Sequence, residues 1–256
     1  QKTAYEIVSR DWSSDVCSSD LPNSQSVVAL LALGLLEGYD LAAMGEASRM
    51  HHAIEALRLG FGFAIDSVGE PTEAMLGKVR AALSVEGLAT LRQRITDRAT
   101  APVRVEGGNP ADTTYLCAID GDGNAVSLMM SICGGFGSGL LAGDTGVILN
   151  NRASQFSTRR GHPNALMPGR RPRHTILPGM VLRAGVPELL LGCIGLNNHP
   201  QGQVQLLVNT LDLGMNAQQA VDAPRFRVVM TTDEVQLDHG IPEQVAFELA
   251  ARGQDR

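Results

Sequence analysis

The chain has 256 residues, of which 44% are hydrophobic, enough for a real core in one large domain or two modest ones. Lysine and arginine number 21 against 27 for aspartate and glutamate, and aromatic residues make up only 4%, which argues against nucleic acid as a partner. The longest apolar run, 27–36, is too short to cross a bilayer, so no membrane span is predicted in this stretch.

Residues 1–21 differ in character from the rest of the chain. The segment is polar, rich in serine and aspartate, and shows neither helical nor alternating apolar periodicity. It resembles the translated read-through of a sequencing adapter, so we predict a non-native leader, with a native disordered tail as the alternative. On this interpretation the N-terminal part of the protein is missing, and its compartment, bacterial cytoplasm or periplasm, stays open.

Helical patterns dominate residues 22–98. Asn23 or Ser24 can cap a helix that is apolar on all sides, and therefore buried, and that stops at Gly38. Steps of four, three and four predict the packed face of a second helix at Met50, Ile54, Leu57 and Phe61. The sequence therefore predicts a helical layer.

Two further short helices should open at Pro71 and Ser84. The segment 99–112 has two prolines, two adjacent glycines and no periodicity, which predicts an exposed loop ending at Asp112. The four cysteines lack the CxxC spacing of metal sites, so they are expected to be buried apolar residues; they are Cys17, Cys117, Cys133 and Cys193.

Beyond the loop the apolar period changes from helical to two. Residues 125–132 alternate, and DGDGN at 120–124 is dense in turn formers, which predicts a β-hairpin. Further strands are expected at 146–149, 174–183, 187–194 and 234–238, and helices near 200–214, 216–222 and 242–252. Helices followed by strands and again by helices predict a layered α+β domain.

The hairpin sets two hydroxyl side chains opposite each other. With the loop centred on Asp122, antiparallel pairing places Thr113 opposite Ser131, within hydrogen-bond range. A threonine hydroxyl is a weak nucleophile, and cleavage of the chain before it would create an α-amino group that can serve as its base. The alternative is that these are ordinary strand residues, because threonine favours strands.

Several motifs from Thr113 onward resemble, in order, the small subunit of the γ-glutamyltransferase (γ-glutamyltranspeptidase) family. They are Thr-Thr at 113–114, DGNAVS at 122–127, FGSG at 136–139, GVILNN at 146–151 and the long segments 162–183 and 199–227. Residues 22–41 resemble the end of the large subunit. The resemblance covers about 22–250.

The resemblance implies part of the four-layer αββα sandwich of N-terminal-nucleophile hydrolases, with no cofactor. It also implies a precursor cleaved between Asp112 and Thr113, so that 22–112 ends the large subunit and 113–256 begins the small one. The implied reaction transfers a γ-glutamyl-type acyl group from a small-molecule amide, such as glutathione, to Thr113 and then to water or an amine. The alternatives are a cephalosporin or glutaryl acylase of the same fold and an inactive relative that acts as a binding protein. This chain by itself is expected to be inactive.

Roles can be carried over residue by residue. Thr113 is the expected nucleophile, with its freed amine as the base, and Ser131 supports it. The amides of Gly195 and Leu196 occupy the positions of a Gly-Gly pair that binds the oxyanion. Because leucine is disfavoured at glycine-only dihedrals, this departure is expected to disturb the oxyanion geometry. Thr114, the second threonine of the motif, is assigned to substrate binding.

The expected substrate pocket departs further from the family. Arg152 and Gln155 stand where typical members have a glutamine and an aspartate for the α-amino group of the substrate. His174 and Thr175 replace two serines that bind its α-carboxylate. An arginine at an amine-binding position favours an anionic or differently substituted acyl group.

Other signals carry less weight. GSGLLA at 137–142 fits a loose dinucleotide pattern but lacks the helix that the pattern requires. Residues 120–131 imitate a calcium loop without its glycine and glutamate, so a hairpin turn is preferred. GxSxG and HExxH are absent from the sequence, and His51 and His52 are expected to be packing or surface residues.

Overall fold

The structure, a computed structural model, describes residues 6–8, 11–13, 16–18, 23–104 and 111–254. The chain divides into two compact units. The first unit comprises 1–26, 68–72 and 108–199, and the second comprises 27–67, 73–107 and 200–256. This division cuts across the predicted subunit boundary at Thr113, because that boundary concerns a cleavage rather than compactness. The subunit assignment stays a prediction.

Helices make up most of the second unit. They are α1 (Ser26–Leu36), α2 (Glu46–Ser67), α3 (Glu73–Ala82), α4 (Val85–Arg92), α5 (Asn198–Leu207), α6 (Ala217–Asp222) and α7 (Glu243–Ala251). A π-helical turn at 208–212 continues α5. The unit also holds an antiparallel pair of short strands, β8 (Phe226–Val229) and β9 (Glu234–Leu237). Within the described ranges, no helix is both long enough and apolar enough to cross a membrane.

The helix α1 is buried on nearly all sides, as its uniform apolar character predicts. Gly60 of α2 lies so close that an added Cβ would approach the carbonyl oxygen of Val28 to 2.8 Å, which explains why glycine stands there. The C-terminal carbonyls of α1 are capped from α4, where Arg92 donates to the carbonyls of Gly34 at 2.7 Å and Leu35 at 2.9 Å. A cation at this end also stabilises the helix dipole.

The observed helices begin close to the residues predicted from the sequence. Ser84 caps α4, and its hydroxyl accepts a hydrogen bond from the amide of Gly87 at 3.1 Å. The helix predicted to open at Pro71 begins at Glu73. Of the predicted face of α2, Ile54, Leu57 and Phe61 are buried, and Met50 is half-buried.

A cluster of buried charges crosses the second unit. The guanidinium of Arg58, 2% exposed, contacts the carboxylates of Glu55 and Asp233, each at 2.7 Å. Gln254 accepts from Arg58 and donates to Glu55 and to the ring of His51. Burial alone would raise the pKa of Glu55, but the hydrogen bonds that it accepts lower it. Glu55 therefore stays ionised, and the cluster ties α2 to the chain near its C-terminus.

Strands form the first unit. β4 (Ala111–Ile119) and β5 (Ala125–Gly134) make the predicted hairpin, and a three-stranded sheet has the order β1 (Glu6–Val8), β6 (Gly179–Arg183), β7 (Val186–Leu191). A further pair is β2 (Asp11–Ser13) with β3 (Val16–Ser18). The strands β1 to β3 lie within 1–21, whose non-native origin stays a prediction. Residues 105–110 of the predicted loop lie outside the described residues.

Some predicted elements are wrong or shorter than expected. Residues 146–149 form no strand, because Gly143 and Gly146 have positive φ and leave only an isolated bridge from Ile148 to Leu141. The strand predicted at 174–183 begins only after Pro178, and the one at 187–194 ends before Gly192. The short strand β8 was not predicted from the sequence.

The signals set aside in the sequence behave as expected. The carboxylate of Asp120 accepts from the amides of Asp122 and Asn124, which makes an ordinary hairpin turn. Residues 137–142 form no helix. The rings of His51 and His52 bond backbone carbonyls, which confirms them as packing residues.

Candidate active site

Thr113 and Ser131 face each other across the hairpin, which confirms the predicted register. The pairing shifts by one residue between Asp112 and Thr113, because Asp112 pairs with Cys133 and leaves Ile132 as an extra residue on β5. The peptide bond before Thr113 therefore lies at a β-bulge, a feature that bends a strand and re-aims its side chains near active sites.

The hydroxyl oxygen of Thr113 is buried and has no hydrogen-bond partner among the described residues. The hydroxyl of Ser131 accepts instead from the amide of Cys133 at 3.0 Å. The expected bond between the two hydroxyls is therefore not formed, because the bulge turns this amide back onto Ser131. A buried hydroxyl without a partner is costly, and such groups call for an explanation such as a catalytic role.

Tyr115 lies two residues after Thr113 and therefore on the same face of β4. Its hydroxyl lies 3.0 Å from that of Ser127, which itself donates to the carbonyl of Gly179 at 2.9 Å. Burial raises the pKa of Tyr115 to about 12. A Cβ added at Gly192 would come within 2.3 Å of the Tyr115 ring, so the ring packs directly on the chain that follows β7. This contact brings the 192–197 loop to the face that carries Thr113.

Gly195 and Leu196, the expected oxyanion donors, lie in this loop. Their φ angles are 105° and 51°, and their carbonyls accept from the amides of Asn198 and His199 at the start of α5. Gln25 donates a side-chain hydrogen bond to Asn197 and so anchors the loop. Leu196 adopts a positive φ although leucine disfavours the left-handed region, at a cost of about 1–2 kcal/mol. Its expected effect on the oxyanion geometry stays a prediction.

Replacing Leu196 by glycine tests this strain. Leu196→Gly and Leu189→Gly should both lower the free energy of unfolding. The loss should be about 1–2 kcal/mol smaller for Leu196→Gly, because only at position 196 does glycine relieve a left-handed conformation. Leu189 is the matched control, since it is also half-buried but lies within β7. Urea denaturation measures both values, and equal losses at the two positions would contradict strain at Leu196.

Arg152 and Thr175 are brought together as predicted. The Nη1 atom of Arg152 donates to the hydroxyl of Thr175 at 3.2 Å, and both side chains are buried. The backbone carbonyl of Thr175 accepts from the Nδ1 atom of His199, a fully buried residue that the sequence did not single out. Burial and the charge of Arg152 lower the pKa of His199 to about 4, so this ring is neutral.

The depressed pKa of His199 makes stability depend on pH. In the unfolded chain His199 takes up a proton as the pH falls through 6.5, whereas in the folded chain it does so only near pH 4. Folding stability is therefore lost as the pH falls from 6.5 to about 4. We expect this ring to contribute a loss of about 2 kcal/mol between pH 7 and pH 5. In His199→Asn, whose amide can still donate to Thr175, the unfolding free energy should fall less over that range. An identical pH dependence in both proteins would contradict a neutral buried His199.

The other residues that were predicted to line the substrate pocket are Gln155, His174 and Thr114. Gln155 accepts through its carbonyl from the side chain of Asn164, and His174 pairs through its backbone with residues 23–25. Thr114 is exposed, and as the next residue along β4 it points away from the face of Thr113. Its side chain therefore does not lie beside that of Thr113.

Two observations concern cysteines and metals. Cys133 is buried as expected, but Cys117 is exposed because the burial of β4 fades toward the hairpin turn, and Cys193 is only half-buried. The prediction of a buried Cys117 is therefore wrong.

Among the described side chains, no group of three His, Cys, Asp or Glu residues could hold a metal ion.

The sequence profile of the family described as Gamma-glutamyltranspeptidase matches residues 2–256. The chain belongs to the gamma-glutamyltranspeptidase family. It is 38% identical over 214 residues to the "Glutathione hydrolase-like YwrD proenzyme" of Bacillus subtilis (strain 168), a match that covers 80% of this chain and 39% of that protein. The family resemblance predicted from the ordered motifs is thereby confirmed.

Solved structures of two proteins are similar to this chain. A cephalosporin acylase from Bacillus halodurans superposes with a TM-score of 0.83 at 34% identity, covering 99% of this chain and 44% of that one. A Helicobacter pylori gamma-glutamyltranspeptidase mutant gives a TM-score of 0.51 at 30% identity, covering 56% of this chain and 82% of that one. These similarities confirm the α+β fold of N-terminal-nucleophile hydrolases. The chain spans about two fifths of the Bacillus subtilis relative.

Proposed function

We propose that the protein is an amidohydrolase and acyltransferase that moves a γ-glutamyl-type acyl group through an ester on Thr113. The observation that carries this proposal is the buried, unpartnered hydroxyl of Thr113 at a β-bulge opposite Ser131. The processed state would hold a large and a small subunit derived from one precursor, as the proenzyme name of the Bacillus subtilis relative suggests for that protein.

Maturation would begin with the Thr113 hydroxyl attacking the carbonyl carbon of Asp112. The carbon–nitrogen bond breaks, an ester forms, and the hydroxyl proton passes to the departing nitrogen. This shift frees the α-amino group of Thr113. Water then hydrolyses the ester, which restores the Thr113 hydroxyl and leaves a C-terminal carboxylate on Asp112. The bulge supports this step because the attacked bond lies outside the regular ladder of the hairpin.

Catalysis would use the same hydroxyl on an external amide. The freed amine takes the hydroxyl proton as the oxygen attacks the substrate carbonyl, and the developing oxyanion is stabilised by the amides of Gly195 and Leu196. The proton then passes to the leaving amine, and an acyl ester remains on Thr113. Water or a second amine attacks this ester and restores the hydroxyl. Within the described part of the chain the two loop amides have no acceptor, which leaves them available for this role.

The proposal is tested with the protein expressed from its complete reading frame. It should release p-nitroaniline from γ-glutamyl or glutaryl p-nitroanilide, with the small chain starting at Thr113. An uncleaved protein that turns over neither anilide would overturn the proposal and favour an inactive relative that acts as a binding protein.

An acylase specific for glutaryl or cephalosporin amides is a second candidate. The observation that favours it is the similarity to the Bacillus halodurans cephalosporin acylase, together with Arg152 at the expected amine-binding position. Both candidates use the same nucleophile, so comparing the two anilides separates them.

A further inference from the structure

The side chain of Tyr115 is held across three strands by two hydrogen bonds. Its hydroxyl lies 3.0 Å from that of Ser127 on β5, and the Ser127 hydroxyl donates to the carbonyl of Gly179 on β6 at 2.9 Å. Because a serine hydroxyl has a single proton, Ser127 can only accept from Tyr115. Tyr115 is therefore the donor, which agrees with a pKa that burial raises to about 12. The two bonds fix the direction of the ring.

The Tyr115 ring fits against the neighbouring chain only because residue 192 is glycine. A Cβ built on Gly192 would lie 2.5 Å from the Cγ atom and 2.6 Å from the Cε2 atom of the ring. Non-bonded carbon atoms do not approach so closely, since their optimal separation is about 3.5–4.0 Å. The φ of Gly192 lies outside the left-handed region, so the backbone there does not require glycine. The ring itself therefore excludes a side chain at position 192.

The 192–197 loop is held at both ends. At its first residue the ring of Tyr115 packs on Gly192, and at its last residue the side chain of Asn197 accepts a hydrogen bond from Gln25, which is buried. The two amides that are proposed to bind the oxyanion lie between these contacts. Tyr115 and Thr113 are two residues apart on β4 and share a face of the strand. The strand that carries the proposed nucleophile therefore also supports the loop.

We propose that Tyr115 is a positioning residue: its ring holds the 192–197 loop at the distance from Thr113 at which the two loop amides bind the oxyanion. This assignment rests on the proposed function, because the oxyanion forms only if Thr113 is the nucleophile. The ring contacts neither substrate nor reacting atoms and acts through the loop. A misplacement of about 1 Å can lower a rate about 100-fold, and donors that act in the transition state affect kcat rather than KM.

Gly192→Ala tests the contact from the side of the loop. The added methyl group cannot share the space of the ring and should push the loop away from β4. The protein from the complete reading frame is assayed with the γ-glutamyl or the glutaryl p-nitroanilide, whichever it hydrolyses faster. Its kcat should fall about 10- to 100-fold, whereas KM should change less than about 3-fold. Gly121→Ala is the matched control and should change neither value, because a Cβ there meets no atom within 4 Å and its φ is also outside the left-handed region.

Tyr115→Leu tests the contact from the side of the ring. It should lower kcat by a similar factor, whereas Tyr115→Phe keeps the ring and should retain most of the rate. Combined with Gly192→Ala, Tyr115→Leu makes room for the methyl group, so the double variant should lose no more kcat than the worse of the two single variants. Tyr39→Leu changes a tyrosine of the other unit, whose ring centroid lies 4.6 Å from that of His52, and should leave kcat unchanged.

Urea denaturation of the same variants provides a second measurement. Because the ring and the added methyl group compete for one space, the losses of unfolding free energy in Tyr115→Leu and Gly192→Ala should sum to more than the loss in the double variant. Additive losses of stability, wild-type kcat in Gly192→Ala, a loss confined to KM, or losses of kcat that multiply in the double variant would each overturn the positioning role alone. Absence of cleavage before Thr113 and of turnover in the wild-type protein would overturn the proposed function and this assignment with it.

Discussion

Thr113→Ala is expected to abolish both maturation and turnover. Without the hydroxyl no ester with Asp112 can form, so the chain stays uncut and no base is freed. Loss of a covalent nucleophile removes the entire chemical path and should lower kcat by a factor on the order of 10⁴ or more. Mass spectrometry measures cleavage and p-nitroaniline release measures turnover.

The matched control for that variant is Thr90→Ala. Thr90 is an exposed residue of α4 whose hydroxyl bonds only a carbonyl of its own helix. Cleavage and turnover should both be unchanged in this variant. If Thr113→Ala were still cut before position 113, or kept the wild-type rate, Thr113 would not be the nucleophile.

Arg58→Met is expected to produce the largest loss of stability. It removes the cation from the buried cluster and leaves the buried carboxylates of Glu55 and Asp233 without the cation that both contact. Breaking a buried ion pair from one side costs about 3–5 kcal/mol, because an uncompensated charge stays in the interior. Urea denaturation of the protein from the complete reading frame measures the loss.

An exposed arginine provides the comparison. Arg80 is 69% exposed and lies 3.8 Å from Glu73, so Arg80→Met should change the unfolding free energy by no more than about 0.5 kcal/mol. A loss at Arg58 as small as that at Arg80 would show that the buried cluster contributes little. It would also imply that Glu55 and Asp233 find other partners.

Local patterns in the sequence predicted much of the fold. The uniform apolar run of α1, the spaced apolar face of α2 and the serine cap of α4 each depend on neighbours within a few residues, and all three are confirmed. The register of the hairpin followed from its turn residues, since the turn fixes which residues face each other. The sequence alone therefore predicts that Thr113 pairs with Ser131.

Long-range contacts could not be predicted in this way. The neutral state of His199 depends on burial beside Arg152, and the two lie far apart in the sequence. The buried cluster joins Glu55 and Arg58 to Asp233 and Gln254, and no local pattern reports such a contact. The backbone conformation of Leu196 could not be predicted either, because leucine disfavours the positive φ that it adopts in this loop.

The alternating apolar pattern of the hairpin also did not predict the bulge before Thr113. Alternation predicts a regular ladder, whereas the extra residue Ile132 shifts the pairing at the peptide bond where cleavage is proposed. The shift directs the amide of Cys133 onto Ser131 and leaves the hydroxyl of Thr113 without a described partner. The feature that most favours a catalytic role therefore required the structure.

Intact mass spectrometry of the protein purified from its complete reading frame tests the central claim most directly. The account predicts two chains, the smaller of which begins with Thr113. A single uncut chain after prolonged incubation would contradict it and remove the basis for every catalytic role proposed for Thr113, Ser131 and the 192–197 loop.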